Sequence, residues 1–518
     1  MGRGVAGGGC AGAGAVNLGG KLAAGDALAH TVTMRRIVLL TALLLAAGLA
    51  PAQDDLEALR ATVVQVFNVS QAEDYSLPWQ RPQPQRSTGT AFYIGNKTLL
   101  TNAHVVSDAR NLLVKRGDRP DRVEARVVFA GHDCDLAALT VDDPQFFEGM
   151  EPLAFGGLPE LRSTVVAIGY PMGGSRITVT QGVVSRIEVQ SYSHSRGDQH
   201  LAVQVDAAIN HGNSGGPLLQ DGKVVGVAFQ MQAAGQNIGY MIPVPVISHF
   251  LTDIADGQYH GFAELGVYEA HLENAGLREF LGVPEGATGV VVLKPMPYAS
   301  CEGVLRRNDV LHAIDGIPIR NDGTIQIGKE FFGYEFVVEN KQVGETVKLQ
   351  LRREGKLLEV EVPLKRWGAR MPFSWQFDTP PDYLVLGGYL FVPLSLNYLA
   401  RRGSEELLYY LQNWYPVLAG PDETREQLVV LSRILPHTST AYRPYNNSIV
   451  ASVDGKVPRD FRAFVAMLDD ATADKMRIEF EGVNVPPLVL DRARIREVHA
   501  EICAQYGIRQ DRHVGKGN

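Results

Sequence analysis

The chain has 518 residues, 45% of them hydrophobic and 20% charged, which is the balance of a folded globular protein and not of a disordered one. A formal charge of −8 argues against nucleic acid as the main partner, and four cysteines without Cys-x-x-Cys spacing exclude a disulfide scaffold and a cysteine zinc site. At about 100–200 residues per domain, the length predicts roughly three domains.

The first element is an address. Residues 1–33 are Gly/Ala-rich and patternless, and are read as a non-structural upstream extension. Residues 34–52 then carry Arg35 and Arg36, an apolar run from Ile37 to Leu49, and the small residues Ala50-Pro51-Ala52. This is the layout of a cleavable export signal; the apolar stretch is short for a membrane span, the alternative being an uncleaved anchor. Cys134, Cys301 and Cys503 lie beyond it and are expected as free thiols.

From Ala61 to about Ile242, short β-branched runs alternate with Gly, Asn and Asp turns, which predicts an all-β barrel or sandwich over residues 53–258. Residues 70–88 are polar and Pro-rich, an inserted loop that carries Tyr75 and Trp79. A helix is expected over Pro245–Ala255, with Val246, Ile247, Phe250, Leu251 and Ile254 on one face. Two α+β segments follow, at 259–368 and 380–506, and then a tail at 507–518. They share an echo: Asn308-Asp309-Val310-Leu311-His312-Ala313-Ile314-Asp315-Gly316 against Asn447-Ser448-Ile449-Val450-Ala451-Ser452-Val453-Asp454-Gly455. Two copies of one small module are predicted.

Three segments carry chemistry. Thr101-Asn102-Ala103-His104-Val105-Val106 follows one strand, Asp133-Cys134-Asp135-Leu136-Ala137 opens another, and Gly212-Asn213-Ser214-Gly215-Gly216-Pro217 precedes a third. A serine hydroxyl becomes nucleophilic when an imidazole removes its proton, and a buried carboxylate holds that imidazole in the right tautomer. His104, Asp135 and Ser214 suit those roles. Asp133 is the competing carboxylate; Asp135 is preferred because it directly precedes an apolar strand. The N–H groups of Gly212 and Ser214 are candidates for an oxyanion hole. Neither a phosphate-binding GxxxxGK[ST] loop nor a recognisable metal-ligand spacing is present, so no cofactor and no metal are expected.

These blocks, with Ala167-Ile168-Gly169-Tyr170-Pro171, Gly182-Val183-Val184-Ser185 and Asn237–Pro243, resemble the HtrA/Deg family of serine proteases over nearly all of residues 60–365. The resemblance implies a mainly β chain: a chymotrypsin-like double β-barrel followed by two α+β PDZ-like domains. It implies ATP-independent cleavage of unfolded or damaged exported polypeptides, a periplasmic location, and a homo-trimer or multiple of trimers with Tyr75 and Trp79 as contacts. Ile209, Phe229 and Ile238 are expected to line the pocket for the residue before the scissile bond; none is charged, which predicts cleavage after small or medium aliphatic residues. Glu264-Leu265-Gly266-Val267 resembles the PDZ loop that caps a peptide's C-terminal carboxylate. In the second module Gly387-Gly388-Tyr389-Leu390-Phe391 is the corresponding candidate loop, and a Tyr-rich insert (Tyr398, Tyr409, Tyr410, Tyr415) makes it similar to the degenerate second PDZ domain of plant-type Deg proteases. The competing functional reading is a chaperone or peptide-binding scaffold with latent or secondary proteolysis.

Overall fold

The computed structural model describes residues 59–515 apart from 172–173, 175, 196, 232–238, 368–374, 403–424, 441–444, 446 and 483–484. The upstream extension, the export signal, Ile238 and the tyrosines 409, 410 and 415 fall outside the described residues.

The first sheet comprises Val63–Ser70 (β1), Gln85–Gly95 (β2), Thr98–Thr101 (β3), Ala109–Arg116 (β4), Val123–Glu124 (β5), Arg126–Gly131 (β6) and Leu136–Thr140 (β7). Its order is β5-β4-β1-β2-β3-β7-β6. Ala125 alone separates β5 from β6, the two ends of that path, so the sheet curls back on itself. Its hydrogen-bond path stays open between β5 and β6. The second set is Thr164–Gly169 (β8), Thr178–Ser191 (β9), Gln199–Val205 (β10), Pro217–Gln220 (β11), Lys223–Met231 (β12) and Gly239–Pro243 (β13), and it closes fully as β10-β13-β12-β11-β8-β9.

Each sheet has its own interior. Val64, Val66, Ala91, Leu99, Val114 and Leu139 fill the first, and Val165, Val203, Val205, Leu218, Ala228 and Met241 the second. A third cluster, with Phe92, Leu100, Leu136, Tyr170, Tyr192 and Phe229, welds the two together. Val244–Asp253 (α2; α1 is Ala103–Val106) adds Val246, Ile247 and Phe250 to this cluster, while Leu251 and Ile254 are only partly buried. The helix tightens into a 3₁₀ turn and stops at Gly257, whose φ of 88° is one that glycine accepts without strain.

The next unit has the order β14-β15-β16-β20-β21, from Val267–His271 (β14), Val290–Pro295 (β15), Val310–Ile314 (β16), Thr346–Arg353 (β20) and Lys356–Pro363 (β21). Ile317–Pro318 (β17) pairs with β16, and Thr324–Ile327 (β18) with Glu330–Gly333 (β19) forms a separate hairpin. Ala275–Phe280 (α3) and Glu335–Glu339 (α4) complete the unit. Among the described residues strand β14 pairs only with β15, which leaves its outer edge open there. The unit is tied to the second barrel by buried His200, whose Nδ1 lies 2.8 Å from Glu339 Oε1 on α4.

The last unit is a seven-stranded sheet, β27-β26-β25-β24-β23-β22-β28. Its strands are Tyr383–Leu386 (β22), Tyr389–Pro393 (β23), Val429–Ile434 (β24), Ser448–Val453 (β25), Lys475–Phe480 (β26), Leu488–Asp491 (β27) and Arg512–His513 (β28). Leu396–Arg402 (α5), Phe461–Asp470 (α6) and Arg492–Gln505 (α7) accompany them. The sequence echo has a backbone counterpart. Asn308, Asp315 and Gly316 have φ of 69°, 46° and 80°; Asn447, Asp454 and Gly455 have 64°, 47° and 77°. Asp315 accepts the N–H of Lys348 on the neighbouring strand at 2.8 Å, and Asp454 that of Arg477 at the same distance.

The two units differ where a peptide would add. Gly387 and Gly388 make the hairpin turn between β22 and β23, and β23 is paired on both sides, by β22 and by β24. The strand after this glycine pair therefore has no open edge, unlike β14.

Tyr75 and Trp79 also find partners within the chain. Tyr75 is buried in one cluster with Tyr383, Val385, Leu390 and Tyr398, and its hydroxyl donates to the Thr379 carbonyl at 3.2 Å; Trp79 lies against Tyr383. The inserted loop is thus part of the core of the last unit. Tyr75→Ala should cost about 3–5 kcal/mol, the range for deleting a buried aromatic ring. The expected readout is a lower unfolding midpoint and faster proteolytic nicking within residues 375–399; an unchanged melt and digest would contradict this packing.

Candidate active site

Strand β3 ends at Thr101, and the chain turns through buried Asn102 into the four-residue α1 that carries His104. Asp135 stands immediately before β7, with φ 53°, a left-handed conformation that aspartate tolerates better than most residues. Its carboxylate does two things at once: Oδ1 accepts the His104 backbone N–H at 2.8 Å, and Oδ2 lies 2.7 Å from His104 Nδ1. Asn102 Nδ2 donates to the Asp135 carbonyl at 2.9 Å and so pins the turn from behind. With Nδ1–H given to the carboxylate, His104 Nε2 is left with its lone pair, as a base requires.

The Asp135 side chain is 1% exposed and that of His104 31%. Burial disfavours the charged imidazole, but the charge and hydrogen bond of Asp135 outweigh it and raise the His104 pKa above the ordinary value. Burial likewise works against the Asp135 carboxylate, yet His104 holds its pKa below the usual range.

Asp133, two residues earlier, is turned elsewhere. Its carboxylate accepts a hydrogen bond from the Tyr259 hydroxyl and lies 3.3 Å from the Arg366 guanidinium. Cys134 between them is a buried free thiol. Cys301 and Cys503 are also unpaired.

The Ser214 turn is held by a residue that motif reasoning passes over. Thr90 in β2 is fully buried, and all its polar groups are used. Its N–H donates to the Ser214 carbonyl at 2.9 Å, and its hydroxyl donates to the Gly212 carbonyl at 2.7 Å while accepting Tyr170 N–H at 2.9 Å. Its carbonyl accepts from Thr101 Oγ1 at 2.6 Å. Thr90 therefore joins the strand leading to His104, the second barrel and the serine turn. Only the burial of one hydroxyl between three elements marks it, and a single threonine in a β run carries no such signal.

Gly215, with φ 83°, sits so close that a Cβ would lie 2.1 Å from the Thr90 carbonyl and 2.2 Å from Thr101 Oγ1. Within this turn the N–H groups of Asn213, Gly215 and Gly216 are spent on the carbonyls of Asn210, Ala228 and Asn213. Those of Gly212 and Ser214 have no acceptor among the described residues. Two unspent donors flanking a serine can receive a negatively charged oxygen. No hydrogen bond joins the His104 ring to Ser214 Oγ among the described residues; in free enzymes this bond is often long and tightens with substrate.

Two of the three pocket candidates are described, and they sit in different core clusters. Ile209 belongs to the interior of the second barrel, against Gly239, whereas Phe229 lies in the inter-barrel cluster, 4.5 Å from the Tyr192 ring by centroids. Both are about 3% exposed. At the other candidate site, Leu265 is buried and Gly266 has φ 73°, with Ala299 filling the place of a Cβ. The Glu264, Leu265 and Gly266 carbonyls are anchored by Ser300 Oγ, Cys301 N–H and Met296 N–H. The N–H groups of Leu265 and Gly266 have no acceptor among the described residues, and Val267 opens the free-edged β14. Among the described residues no group of His, Cys, Asp and Glu side chains is arranged to hold a metal ion.

Thr90→Val keeps shape but leaves the Gly212 carbonyl and the Tyr170 N–H unpaired, at a cost of about 1–3 kcal/mol for each stranded group. Peptidase activity and the unfolding midpoint should both fall, with Thr90→Ser recovering most of the loss; wild-type behaviour of the valine variant would show that the hub does not hold the turn.

The chain is also similar to known proteins. A trypsin-like peptidase domain model matches residues 89–227, and a PDZ domain model matches 372–514. The chain is 37% identical over 458 residues to the chloroplastic protease Do-like 2 of Arabidopsis thaliana, covering 87% of this chain and 74% of that one. It is 36% identical over 449 residues to the mitochondrial protease Do-like 4 of the same plant, covering 86% and 84%. Among solved structures it is similar to the HtrA-type protease AlgW with decapeptide, at 24% identity and TM-score 0.45, over 62% of this chain and 98% of that one. On the extent of its identity with these relatives, the chain belongs to the Do-like (HtrA/DegP) family and is a serine endopeptidase with a trypsin-like domain and a PDZ domain.

Proposed function

We propose that His104, Asp135 and Ser214 are the catalytic triad of this peptidase. The observation that carries the reading is the double use of the Asp135 carboxylate, on the ring and on the backbone of His104. In the proposed reaction His104 Nε2 takes the Ser214 proton as Oγ adds to the scissile carbonyl. The carbonyl oxygen becomes negative and meets the N–H groups of Gly212 and Ser214. The proton passes to the departing amine, leaving an acyl-serine, and water repeats the sequence to release the acid. Asp135 stays ionised and steadies the imidazolium.

The substrates proposed are unfolded or damaged polypeptides, cut after Val, Ala, Ile or Leu. The loop Glu264-Leu265-Gly266-Val267 is proposed to receive peptide C-termini. Its unspent N–H groups and the open edge of β14 support this, since a peptide carboxylate and a peptide strand are what they can bind. The closed position of β23 favours assembly over peptide capture for the last unit. Export is proposed from residues 34–52. The destination is the periplasm, or an organelle such as those named for the two Arabidopsis relatives. No helix among the described residues is long and apolar enough to cross a membrane. A trimer-based assembly is part of the proposal.

Two measurements test this. Unfolded casein should be cleaved by the wild type and not by Ser214→Ala, with aliphatic residues preceding the cut bonds. A basic preference would overturn the proposed pocket chemistry; a wild type that leaves casein intact while suppressing its aggregation would favour the chaperone reading. The second is pH. The base must be neutral, and the raised His104 pKa keeps it protonated to higher pH, so kcat/KM should fall on acidification through a midpoint above about 6.5. A midpoint below 6 would contradict the bonding to Asp135.

A further inference from the structure

The segment Trp375–Thr379 links the last two units, yet it lies on the protease domain beside His104. Its C-terminal anchors belong to the last unit and the inserted loop. Gln376 exchanges hydrogen bonds with the Asn397 side chain, both at 2.8 Å, and Thr379 accepts from Tyr75. Phe377 and Asp378 contact residues around His104. Asp378 and Asp108 bond reciprocally: Asp108 N–H donates to Asp378 Oδ1 at 2.5 Å, and Asp378 N–H donates to Asp108 Oδ1 at 3.1 Å. Asp108 has φ 53° and ends the turn that leaves α1, four residues after His104.

The second contact is a chain of rings. Asp378 Oδ2 lies 3.0 Å from His132 Nε2, and His132 Nδ1 lies 2.9 Å from His194 Nε2. The tautomers that satisfy every partner have His132 Nε2–H donating to Asp378 and His194 Nε2–H donating to His132. Phe377 stacks on both imidazoles, with centroids 4.0 Å from His194 and 4.7 Å from His132. The His194 ring is in turn 6.1 Å from that of His104. His132 stands three residues before Asp135, so one face of this stack is continuous with the strand mouth that supplies the orienting carboxylate.

We infer that the strap Trp375–Thr379 is a positioning element of the active site, in which Phe377 and Asp378 fix the His194 ring against His104, so that docking of the last unit is felt at the general base. Burial pushes the His194 pKa down to about 4, so at neutral pH it is an uncharged wedge and not a second cation beside the base. The strap leaves His104 about a third exposed, so it supports the base without covering it. A base held in one orientation reacts faster than one that must find it, and a displacement of 1 Å in such a group can cost on the order of a hundredfold.

The inference rests on His104 being the general base, and the test separates the two. The full chain is assayed on a short chromogenic peptide with valine before the scissile bond, too small to reach the PDZ-like units. His104→Ala must abolish turnover; if it does not, the triad reading fails, whatever the strap does. With that control in place, Phe377→Ala should lower kcat about tenfold or more with KM within about twofold, and Phe377→Tyr, which keeps the ring, should restore it. In a His194→Ala background the Phe377→Ala change should vanish, because the two act as one unit. Phe377→Leu, followed by circular dichroism, covers the case in which the alanine variant does not fold, and should show the same kcat loss in part. An unchanged kcat, a change in KM alone, a rise in kcat, or an undiminished loss without His194 would each overturn the inference.

Discussion

One carboxylate, Asp135, holds a backbone N–H and a ring N–H of the same histidine. That is the constraint on which the rest of the site depends. A bond to the ring alone would orient the imidazole, and a bond to the backbone alone would fix the turn. Together they define where Nε2 lies relative to both sheets. The surrounding construction serves this placement. Asn102 holds the Asp135 carbonyl, the left-handed φ of Asp135 turns its side chain back to the helix start, and Asp133 is drawn off to Tyr259 and Arg366. Each of these removes an alternative arrangement of the same residues.

The serine side is organised by a different principle. There no charge is present, and position comes from close backbone approach. Thr90 spends its N–H, hydroxyl and carbonyl on three segments, and Gly215 and Gly216 leave no room for a Cβ, which would lie 2.1–2.2 Å from backbone carbonyls. The economy of this turn leaves the N–H groups of Gly212 and Ser214 unspent. Two unspent donors beside a serine suit the proposed role of receiving a charge that exists only during reaction.

Much of this was legible in the sequence. Blocks in the order His, Asp, Ser pointed to His104, Asp135 and Ser214, and Asp135, preferred over Asp133 for the apolar strand after it, is the carboxylate that the structure pairs with His104. The Asn–Asp–Gly echo between the two C-terminal units reappears as matching left-handed backbone at Asn308 and Asn447, Asp315 and Asp454. What was not legible has a common cause: it depends on contacts between residues far apart in the chain. Thr90 has no motif. Tyr75 and Trp79 read as surface aromatics suited to a partner subunit, because an inserted loop shows no periodicity that would reveal burial under residues 383–398. The glycine pair 387–388 read as the counterpart of the loop before β14 because Gly-Gly before an aromatic-apolar run is compatible with either a loop or a hairpin, and the pairing of β23 on both sides shows the hairpin. The stack of Phe377, His194 and His132 joins three segments of which none carries a recognisable pattern.

The central claim is that Ser214 is activated by His104 and that Asp135 makes His104 able to do so. A fluorophosphonate reports this without any assumption about natural substrates, since it reacts with a serine only when that serine is activated. Labelling of the full chain, with the modified residue identified by mass spectrometry, should place the adduct on Ser214. The rate should fall by several orders of magnitude in His104→Ala and nearly as far in Asp135→Asn, which keeps the shape but favours the wrong tautomer. An adduct on another residue, or a labelling rate unchanged by both substitutions, would contradict the account.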